Sequence, residues 1–266
     1  MLSNLHTHTT YCDGKSTAEE TIRFAIDAGF KSLGFSGHGY TPYDLRYCMK
    51  DVEGYIAEIT ALKEKYRGKI EIYLGTEEDS YHLCDRSRYD YIIGSSHYLK
   101  TGDKYIPVDS GVKYLDECIK ACGSAVKFAE AYYSAFCDYI ERRKPDIIGH
   151  FDLMTKYDEQ EAAPLFSADE EYYSVAEKYI ERALKSECFF EVNTGAMARG
   201  LRTTPYPSER LLNVIKKNGG RLVLSSDCHL AENLDFAFAE ARKLLRDVGF
   251  EYVYVLLGGE FVKDYI

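Results

Sequence analysis

Six of the seven histidines of this chain lie in short polar motifs that directly follow runs of apolar residues. Those motifs are HTHTTYCDG from His6, SGH ending at His38, SSH ending at His97, GHFD around His150 and SSDCH ending at His229, and a further motif, GTE, ends at Glu77. Zinc, iron and manganese all accept imidazole and carboxylate ligands in proteins. A single histidine at such a position is usually an ordinary hydrogen-bonded residue, but so many together indicate a metal site.

The apolar runs in front of these motifs have the length and the β-branched or aromatic content of buried strands. They cover residues 2–7, 32–36, 69–75, 90–94, 146–149, 189–193 and 222–225, and an eighth run covers 252–256. Segments of helical period lie near residues 17–28, 51–66, 112–143, 168–186, 207–218 and 232–247. This alternation predicts a parallel sheet built from β-α units. The polar stretch 101–109 predicts a loop.

A closed barrel of parallel strands would bring the motifs together, because the carboxyl ends of its strands share one face. Alternate residues of a strand point to the same side, so His6 and His8 can bind one ion. Asp227 and His229 can do the same. The full set of candidate ligands is His6, His8, Asp13, His38, Glu77, His97, His150, Asp227 and His229. One ion needs about four to six ligands, so the set predicts two or three ions.

Basic residues near the predicted barrel mouth are few. Arg199 and Arg202 lie in a glycine-containing loop after the run 189–193, and Lys156 follows the GHFD motif. Guanidinium groups suit a phosphate monoester because they form paired, charge-assisted hydrogen bonds with its oxygens. We therefore predict that these residues bind a phosphorylated substrate. The alternative is that the arginines only tie their loop to the rest of the protein.

The composition is that of one globular domain, with 45% hydrophobic and 29% charged residues in a 266-residue chain. A net charge of −10 disfavours a nucleic-acid partner, which would need a basic stripe. The chain has no apolar run of roughly 18 residues and no signal-peptide pattern in MLSNLHTHTT, so we expect no membrane association and a cytoplasmic location. The eight cysteines include no C-x-x-C pair and are expected to be free thiols.

The motifs together resemble those of the polymerase and histidinol phosphatase (PHP) superfamily of metallophosphoesterases, in the expected order and over almost the whole chain. Within it the sequence is most similar to the stand-alone histidinol-phosphate phosphatases, through the segments DYIIGSSHY, GHFDL, EVNT and PYPS. The resemblance implies a distorted (β/α)7 TIM-like barrel, which we expect to form a single domain over residues 1–266. It also implies a centre of three divalent ions, which could be zinc, iron or manganese.

The resemblance further implies how the candidate ligands are shared. One ion would take His6, His8, Glu77 and Asp227, a second Glu77, His97 and His150, and the third Asp13, His38 and His229. The residues expected to act directly in catalysis are Asp13, His38, Asp227, His229 and Arg199.

The implied reaction is hydrolysis of L-histidinol phosphate, a step of histidine biosynthesis, by a hydroxide that the metal ions activate. Arg199, Arg202 and Lys156 would hold the phosphoryl oxygens. The alternatives are the same chemistry on another small phosphate ester, such as a nucleotide or sugar phosphate, or on a phosphotyrosyl protein. An exonuclease-type module acting on nucleic acid is a further alternative, which the acidic charge disfavours.

Overall fold

The computed structural model describes residues 1–160 and 165–266, in which strands and helices alternate along most of the chain. The strands are β1 (Ser3–Asn4), β2 (Ser32–Phe35), β3 (Glu71–Asp79), β4 (Tyr91–Ser95), β5 (Tyr98–Thr101), β6 (Lys104–Pro107), β7 (Ile147–Ile148), β8 (Phe189–Asn193), β9 (Arg221–Ser225), β10 (Tyr252–Leu257) and β11 (Glu260–Tyr265). The helices are α1 (Ala18–Asp27), α2 (Val52–Lys65), α3 (Val112–Cys122), α4 (Ala125–Arg143), α5 (Glu170–Leu184), α6 (Gly195–Ala198), α7 (Glu209–Lys217) and α8 (Phe238–Val248).

Across the described ranges, nine of the strands form one sheet in the order β1-β2-β3-β4-β7-β8-β9-β10-β11. Neighbours from β1 to β10 pair in parallel. The sheet curls until β1 and β9 approach each other, where Thr7 bridges Cys228 and the backbone N of His8 donates to the carbonyl of Cys228 at 2.8 Å. The ring from β1 to β9 confirms the predicted distorted (β/α)7 barrel.

Helices surround this ring and bury their apolar faces against it. Helix α4 contributes the aromatic side chains Phe128, Tyr132, Tyr133 and Phe136 to the largest core cluster, all of them buried. Helix α1 begins with a capping box, in which Thr17 accepts from the backbone N of Glu20 and Glu20 accepts from the backbone N of Thr17. In the described part of the chain, no helix is long and apolar enough to cross a membrane.

Two parts of the sequence-based prediction are wrong in detail. The predicted helix 112–143 is two helices, because Gly123 takes a left-handed conformation (φ 92°) that ends α3, and Ser124 then caps α4. The predicted loop 101–109 is largely the second half of an antiparallel hairpin, in which β5 pairs with β6. Its turn includes Gly102, whose φ of 59° suits a tight hairpin turn.

The amino end of the barrel is covered by a hairpin formed by β10 and β11. Strand β10, the eighth predicted run, joins β9 through one pair of residues, and β11, which was not predicted, pairs with it antiparallel. Phe261 of β11 stacks on Phe189 at the start of β8, with ring centroids 4.2 Å apart. At the hairpin turn the backbone N of Gly258 donates to Glu71 at 2.7 Å. The hairpin therefore reaches from β9 across to β3.

Candidate metal centre

The candidate ligands lie at or just beyond the carboxyl ends of the ring strands. His6, His8 and Asp13 follow β1, His38 follows β2, Glu77 lies near the end of β3, His97 follows β4, His150 follows β7, and Asp227 and His229 follow β9. The structure brings all of these residues together at one end of the barrel, and their imidazole rings stack or tilt against one another at centroid distances of 4.1–6.4 Å. The connecting turns therefore place side chains from distant parts of the sequence in one pocket.

The deepest group consists of His6, His8, Glu77 and Asp227. Oδ1 of Asp227 lies 3.1 Å from Nε2 of His8 and 3.7 Å from Nε2 of His6. Oε2 of Glu77 lies 3.4 Å from Nε2 of His6 and 3.6 Å from Nε2 of His8. These two imidazole nitrogens and this oxygen are buried and have no hydrogen-bond partner among the described residues. Because unpaired buried polar atoms are costly, the arrangement fits a bound cation.

A second group shares Glu77 with the first. Its other oxygen, Oε1, lies 3.0 Å from Nε2 of His150 and 3.2 Å from Nε2 of His97. One carboxylate thus faces two clusters of nitrogen donors with its two oxygens. A carboxylate in this position can bridge two cations.

The third group, Asp13, His38 and His229, is the most open to solvent. Oδ2 of Asp13 lies 3.2 Å from Nε2 of His229 and 3.7 Å from Nε2 of His38. These three side chains are 20–27% exposed, whereas Glu77 and the two histidines of the deepest group are 0% exposed. His8 approaches this group as well, with its Nδ1 3.3 Å from Oδ1 of Asp13. The sequence-based set of ligands is therefore gathered in one place, and His8 lies between its first and third groups.

Charges of opposite sign perturb the acid-base properties of these residues. Burial alone would raise the pKa of Glu77, but the imidazoles of His97, His38 and His6 outweigh it and hold that pKa well below its usual range. Burial would lower the pKa of His6, yet Glu191, Glu77 and Asp227 together raise it to about 10. Without cations His6 therefore holds a proton beside these carboxylates. A divalent ion that binds here would displace protons, as is common for histidine-rich sites.

Several candidate ligands are oriented by a partner on the side away from the cluster. Nδ1 of His6 lies 2.6 Å from Oε1 of Glu191, and Nδ1 of His97 lies 3.3 Å from Oδ2 of Asp79. Glu191 was not among the predicted site residues, although a charged residue in the apolar run 189–193 is a signal that could have identified it. From the sequence, Glu78 and Asp79 could equally support the ligands or face solvent. Both are buried, and Asp79 contacts His97, whereas Glu78 binds Arg143 away from the cluster.

Seven of the nine candidate ligands, all except His6 and His8, line a cavity of about 280 Å³ whose wall also includes Arg199 and Lys156. Arg199 donates from Nη2 to Oδ2 of Asp227 at 2.9 Å, so its guanidinium lies at the edge of the metal centre. Lys156 forms a 2.9 Å ion pair with Asp109, which lines the same cavity. Arg202 is 8% exposed and points elsewhere, with hydrogen bonds to Thr155 and a cation-π contact to a tyrosine ring. The structure thus places two of the three predicted substrate-binding residues on the cavity wall.

Asp227 has an unusual backbone conformation for a non-glycine residue, with φ at +49°. Such a conformation costs free energy and is typical of functional sites, where the surrounding structure holds it in place. Gly195 allows it here, because a Cβ at that position would lie 2.8 Å from the Cβ of Asp227 and 2.9 Å from the carbonyl of Ser226. The close contact with Gly195 therefore fixes where the Asp227 carboxylate sits.

A curled parallel barrel with a buried histidine and carboxylate cluster at its carboxyl end defines a metal-binding β/α-barrel protein. Comparison with protein families identifies the family within this class, since residues 4–195 match the family described as PHP domain. The chain belongs to the PHP domain family, and the resemblance inferred from the sequence motifs is confirmed.

Individual relatives are consistent with this assignment. The chain is 30% identical to the histidinol-phosphatase of Bacillus subtilis, over 88% of this chain and 95% of the relative. It is 26% identical to a Schizosaccharomyces pombe protein named "Probable histidinol-phosphatase", over 92% of this chain and 86% of that one. Among solved structures, the histidinol phosphate phosphatase of Lactococcus lactis, described as complexed with zinc, L-histidinol and phosphate, superposes with a TM-score of 0.75 at 21% identity and covers 98% of both chains. That likeness supports the fold.

Proposed function

We propose that this chain is a metal-dependent phosphomonoesterase that hydrolyses L-histidinol phosphate to L-histidinol and phosphate. The observation that carries the proposal is the group of imidazoles and carboxylates around Glu77, which opens onto a cavity whose wall carries Arg199 and Lys156. The names of the relatives support the choice of substrate. A small phosphorylated metabolite also suits a chain with a net charge of −10 better than nucleic acid does. The proposed setting is the cytoplasm.

The residues at the carboxyl end of the barrel fit three divalent ions. The first would be held by His6, His8, Glu77 and Asp227, the second by Glu77, His97 and His150, and the third by Asp13, His38 and His229. Zinc is favoured by the Lactococcus lactis relative, while iron and manganese suit the same donors. Divalent ions in this position supply activation of water at neutral pH and neutralisation of phosphoryl charge.

For Arg199 we propose direct contact with the phosphoryl group. Its guanidinium lines the cavity and lies 2.9 Å from Asp227, so a phosphoryl oxygen near the metal centre is within its reach. Burial lowers the pKa of Arg199, but Asp227 outweighs this and raises it, so the side chain stays cationic at any working pH. Arg199 would thus offset negative charge that develops on the phosphoryl oxygens.

For Arg202 the contacts favour a supporting role. Its guanidinium donates to the carbonyl of Thr155 and to the carbonyl of Thr204, and it lies over the ring of Tyr206 at 4.5 Å. These contacts tie the loop that carries Arg199 to the turn after β7. We therefore propose that Arg202 acts on the substrate through the placement of Arg199.

The ammonium group of histidinol phosphate needs a carboxylate on the cavity wall, and we propose Asp109. Burial would raise the pKa of Asp109, but Lys156, His97 and His150 lower it to about 2, so the group is anionic near neutral pH. Its Oδ2 lies 2.9 Å from Nζ of Lys156. Lys156 would then hold Asp109 on one side while the substrate ammonium binds on the other.

The test is phosphate release by the metal-loaded protein from histidinol phosphate and from a panel that contains a nucleotide, a sugar phosphate and a phosphotyrosyl peptide. A higher kcat/KM for histidinol phosphate supports the proposal, and an equal or higher value for another ester would overturn the choice of substrate. The variant Asp109→Asn sharpens the test. It should raise KM for histidinol phosphate and leave hydrolysis of a phosphate ester without an ammonium group unchanged.

A further inference from the structure

Strand β8 differs from the other ring strands in the described part of the chain, because it delivers no candidate metal ligand. It carries Glu191 and Asn193 instead, and Gly195 lies two residues after the end of the strand. Alternate residues of a strand point to the same side, so Glu191 and Asn193 both face the barrel interior beneath the metal centre. Both side chains are 0–1% exposed. A buried carboxylate here requires partners, and the neighbouring ligand segments provide them.

Glu191 accepts hydrogen bonds from residues on four different strands or strand ends. Its Oε1 faces Nδ1 of His6 at 2.6 Å and the hydroxyl of Ser225. Its Oε2 accepts from the backbone N of His150 at 2.7 Å and from the side-chain amide of Asn193 at 2.9 Å. One carboxylate thus contacts a ligand of the first group directly and the backbone of a ligand of the second group.

The contact with His6 determines which ring nitrogen is available to a cation. When Nδ1–H donates to a carboxylate, the lone pair of the neutral imidazole remains on Nε2. Nε2 of His6 lies 3.4 Å from Oε2 of Glu77 and 3.7 Å from Oδ1 of Asp227, and it has no hydrogen-bond partner among the described residues. The ring is therefore oriented with its free donor atom toward the deepest ligand group.

We propose that Glu191 is a positioning residue for the metal centre, which fixes the tautomer and orientation of His6 and the backbone position of His150 without binding a cation itself. The proposal rests on the proposed function only in assuming that this cluster binds divalent ions. Asn193 supports the site in a similar way. Its side-chain oxygen accepts from the backbone N of Gly195 at 2.8 Å, and Gly195 packs closely against Asp227.

The experiment compares Glu191→Gln with Glu78→Gln in the full-length protein. Both positions are buried glutamates of ring strands that accept four hydrogen bonds, those of Glu78 coming from Cys84, Tyr139 and, twice, Arg143. Glutamine offers one acceptor oxygen in place of two, so it leaves donors unpaired at either position. The two variants should therefore lose similar amounts of stability. They differ in that only Glu191 contacts a candidate ligand through its side chain.

The readout is the affinity for Zn²⁺, measured by competition with a chelator of known affinity, together with the bound metal per chain. Glu191→Gln should lower the affinity of the tightest site by roughly 10–100-fold, the range found for partners of metal-binding histidines. Glu78→Gln should retain the affinity of the unsubstituted protein. Unchanged affinity in Glu191→Gln, or an equal loss in both variants, would overturn the proposal.

A measurement on the unsubstituted protein keeps the proposal testable even if Glu191→Gln does not fold. Long-range ¹H–¹⁵N correlation spectra of the zinc-loaded protein report which ring nitrogen of His6 carries the proton, and His6→Gln assigns the signal. A protonated Nδ1 is expected, and a protonated Nε2 would overturn the proposal. Neither readout uses a substrate, so a protein that binds zinc normally yet does not hydrolyse histidinol phosphate would count against the proposed function alone.

Discussion

At the carboxyl end of the barrel the buried side chains are charged, whereas at the amino end they are aromatic and aliphatic. The carboxyl end gathers imidazoles and carboxylates, and several of their atoms lack hydrogen-bond partners among the described residues. The amino end packs Tyr73, Phe189 and Val223 against Leu256 of the hairpin formed by β10 and β11. The carboxyl end of the barrel therefore carries the candidate metal centre, and the apolar packing at the amino end contributes to stability. Substitutions at the two ends should therefore have distinct effects on activity and on stability.

The largest effect is expected for Glu77→Gln at the carboxyl end. Because the two oxygens of Glu77 face different ligand groups, the amide should weaken binding of two ions, and activity should fall roughly 10³-fold. Phosphate release and metal content per chain are the measurements, with circular dichroism as the check on folding. The control is the adjacent Glu78→Gln, whose side chain contacts Arg143 instead of the cluster. Full metal content in Glu77→Gln would contradict the comparison.

At the amino end, Phe189→Ala should reduce the free energy of unfolding by about 3–5 kcal/mol and leave kcat of the folded protein unchanged. Phe189 is 7% exposed, and its ring stacks on Phe261 and lies 4.3 Å below the guanidinium of Arg221. Urea denaturation of the metal-loaded protein measures the loss. Tyr265→Ala on the same hairpin is the control, since Tyr265 is 71% exposed and should change stability by less than about 0.5 kcal/mol. A fall in kcat with unchanged stability would reverse the assignment of the two ends.

The difference between the ends also explains what could be predicted from the sequence. Histidine is a rare residue type in this chain, and His97 and His150 lie directly after apolar runs. Their position at the ends of strands could therefore be predicted from the sequence. The ring of strands followed from the same runs. The hairpin at the amino end was harder to predict, because β11 carries Glu260, Lys263 and Asp264 in six residues and lacks an apolar pattern. Its place is set by the contact of Phe261 with the distant Phe189 and by the contact of the hairpin turn with Glu71.

Within the site, the orientation of individual side chains was out of reach of the sequence. Glu191 acts on His6 from 185 positions away, and this pairing exists only once β8 lies near β1 across the barrel. Arg199 and Arg202 have the same chemistry and lie in the same loop, yet Arg199 lines the cavity and Arg202 binds Thr155. Loop geometry decides between them, and neither periodicity nor residue type encodes it.

Two crowded glycines make a matched pair across the barrel. Gly195→Ala should lower kcat/KM about 10–100-fold, because the new Cβ would meet Asp227 at 2.8 Å and small displacements of catalytic groups are costly. Gly220→Ala, just before β9 at the amino end, would meet Ile215 and Leu184 at 2.5 and 2.7 Å and should reduce stability alone. Steady-state kinetics and urea denaturation of both variants are the measurements. Equal loss of activity in the two variants would contradict the assignment of catalysis to the carboxyl end of the barrel.

The smallest expected effect is a pH dependence of stability that belongs to the carboxyl end. In the metal-free protein, burial lowers the pKa values of His6 and His97, but carboxylates led by Glu191 for His6 and Glu77 for His97 raise them to about 10 and about 9. Because the folded state holds these protons more tightly than the unfolded state, their contribution is fully present below about pH 6.5 and is lost as the pH rises through 9 to 10.

The metal-free protein should therefore lose roughly 1 kcal/mol of unfolding free energy per pH unit for each of these two histidines between pH 7 and 9. Urea denaturation after chelation measures this slope. Zinc-loaded protein should show a flatter profile, because the cations already hold the imidazoles in their neutral form. Phe189→Ala should keep the slope of the parent protein, since its defect lies at the opposite end, and His6→Gln should reduce it. A slope that Phe189→Ala removes and His6→Gln preserves would place the titrating groups at the wrong end of the barrel.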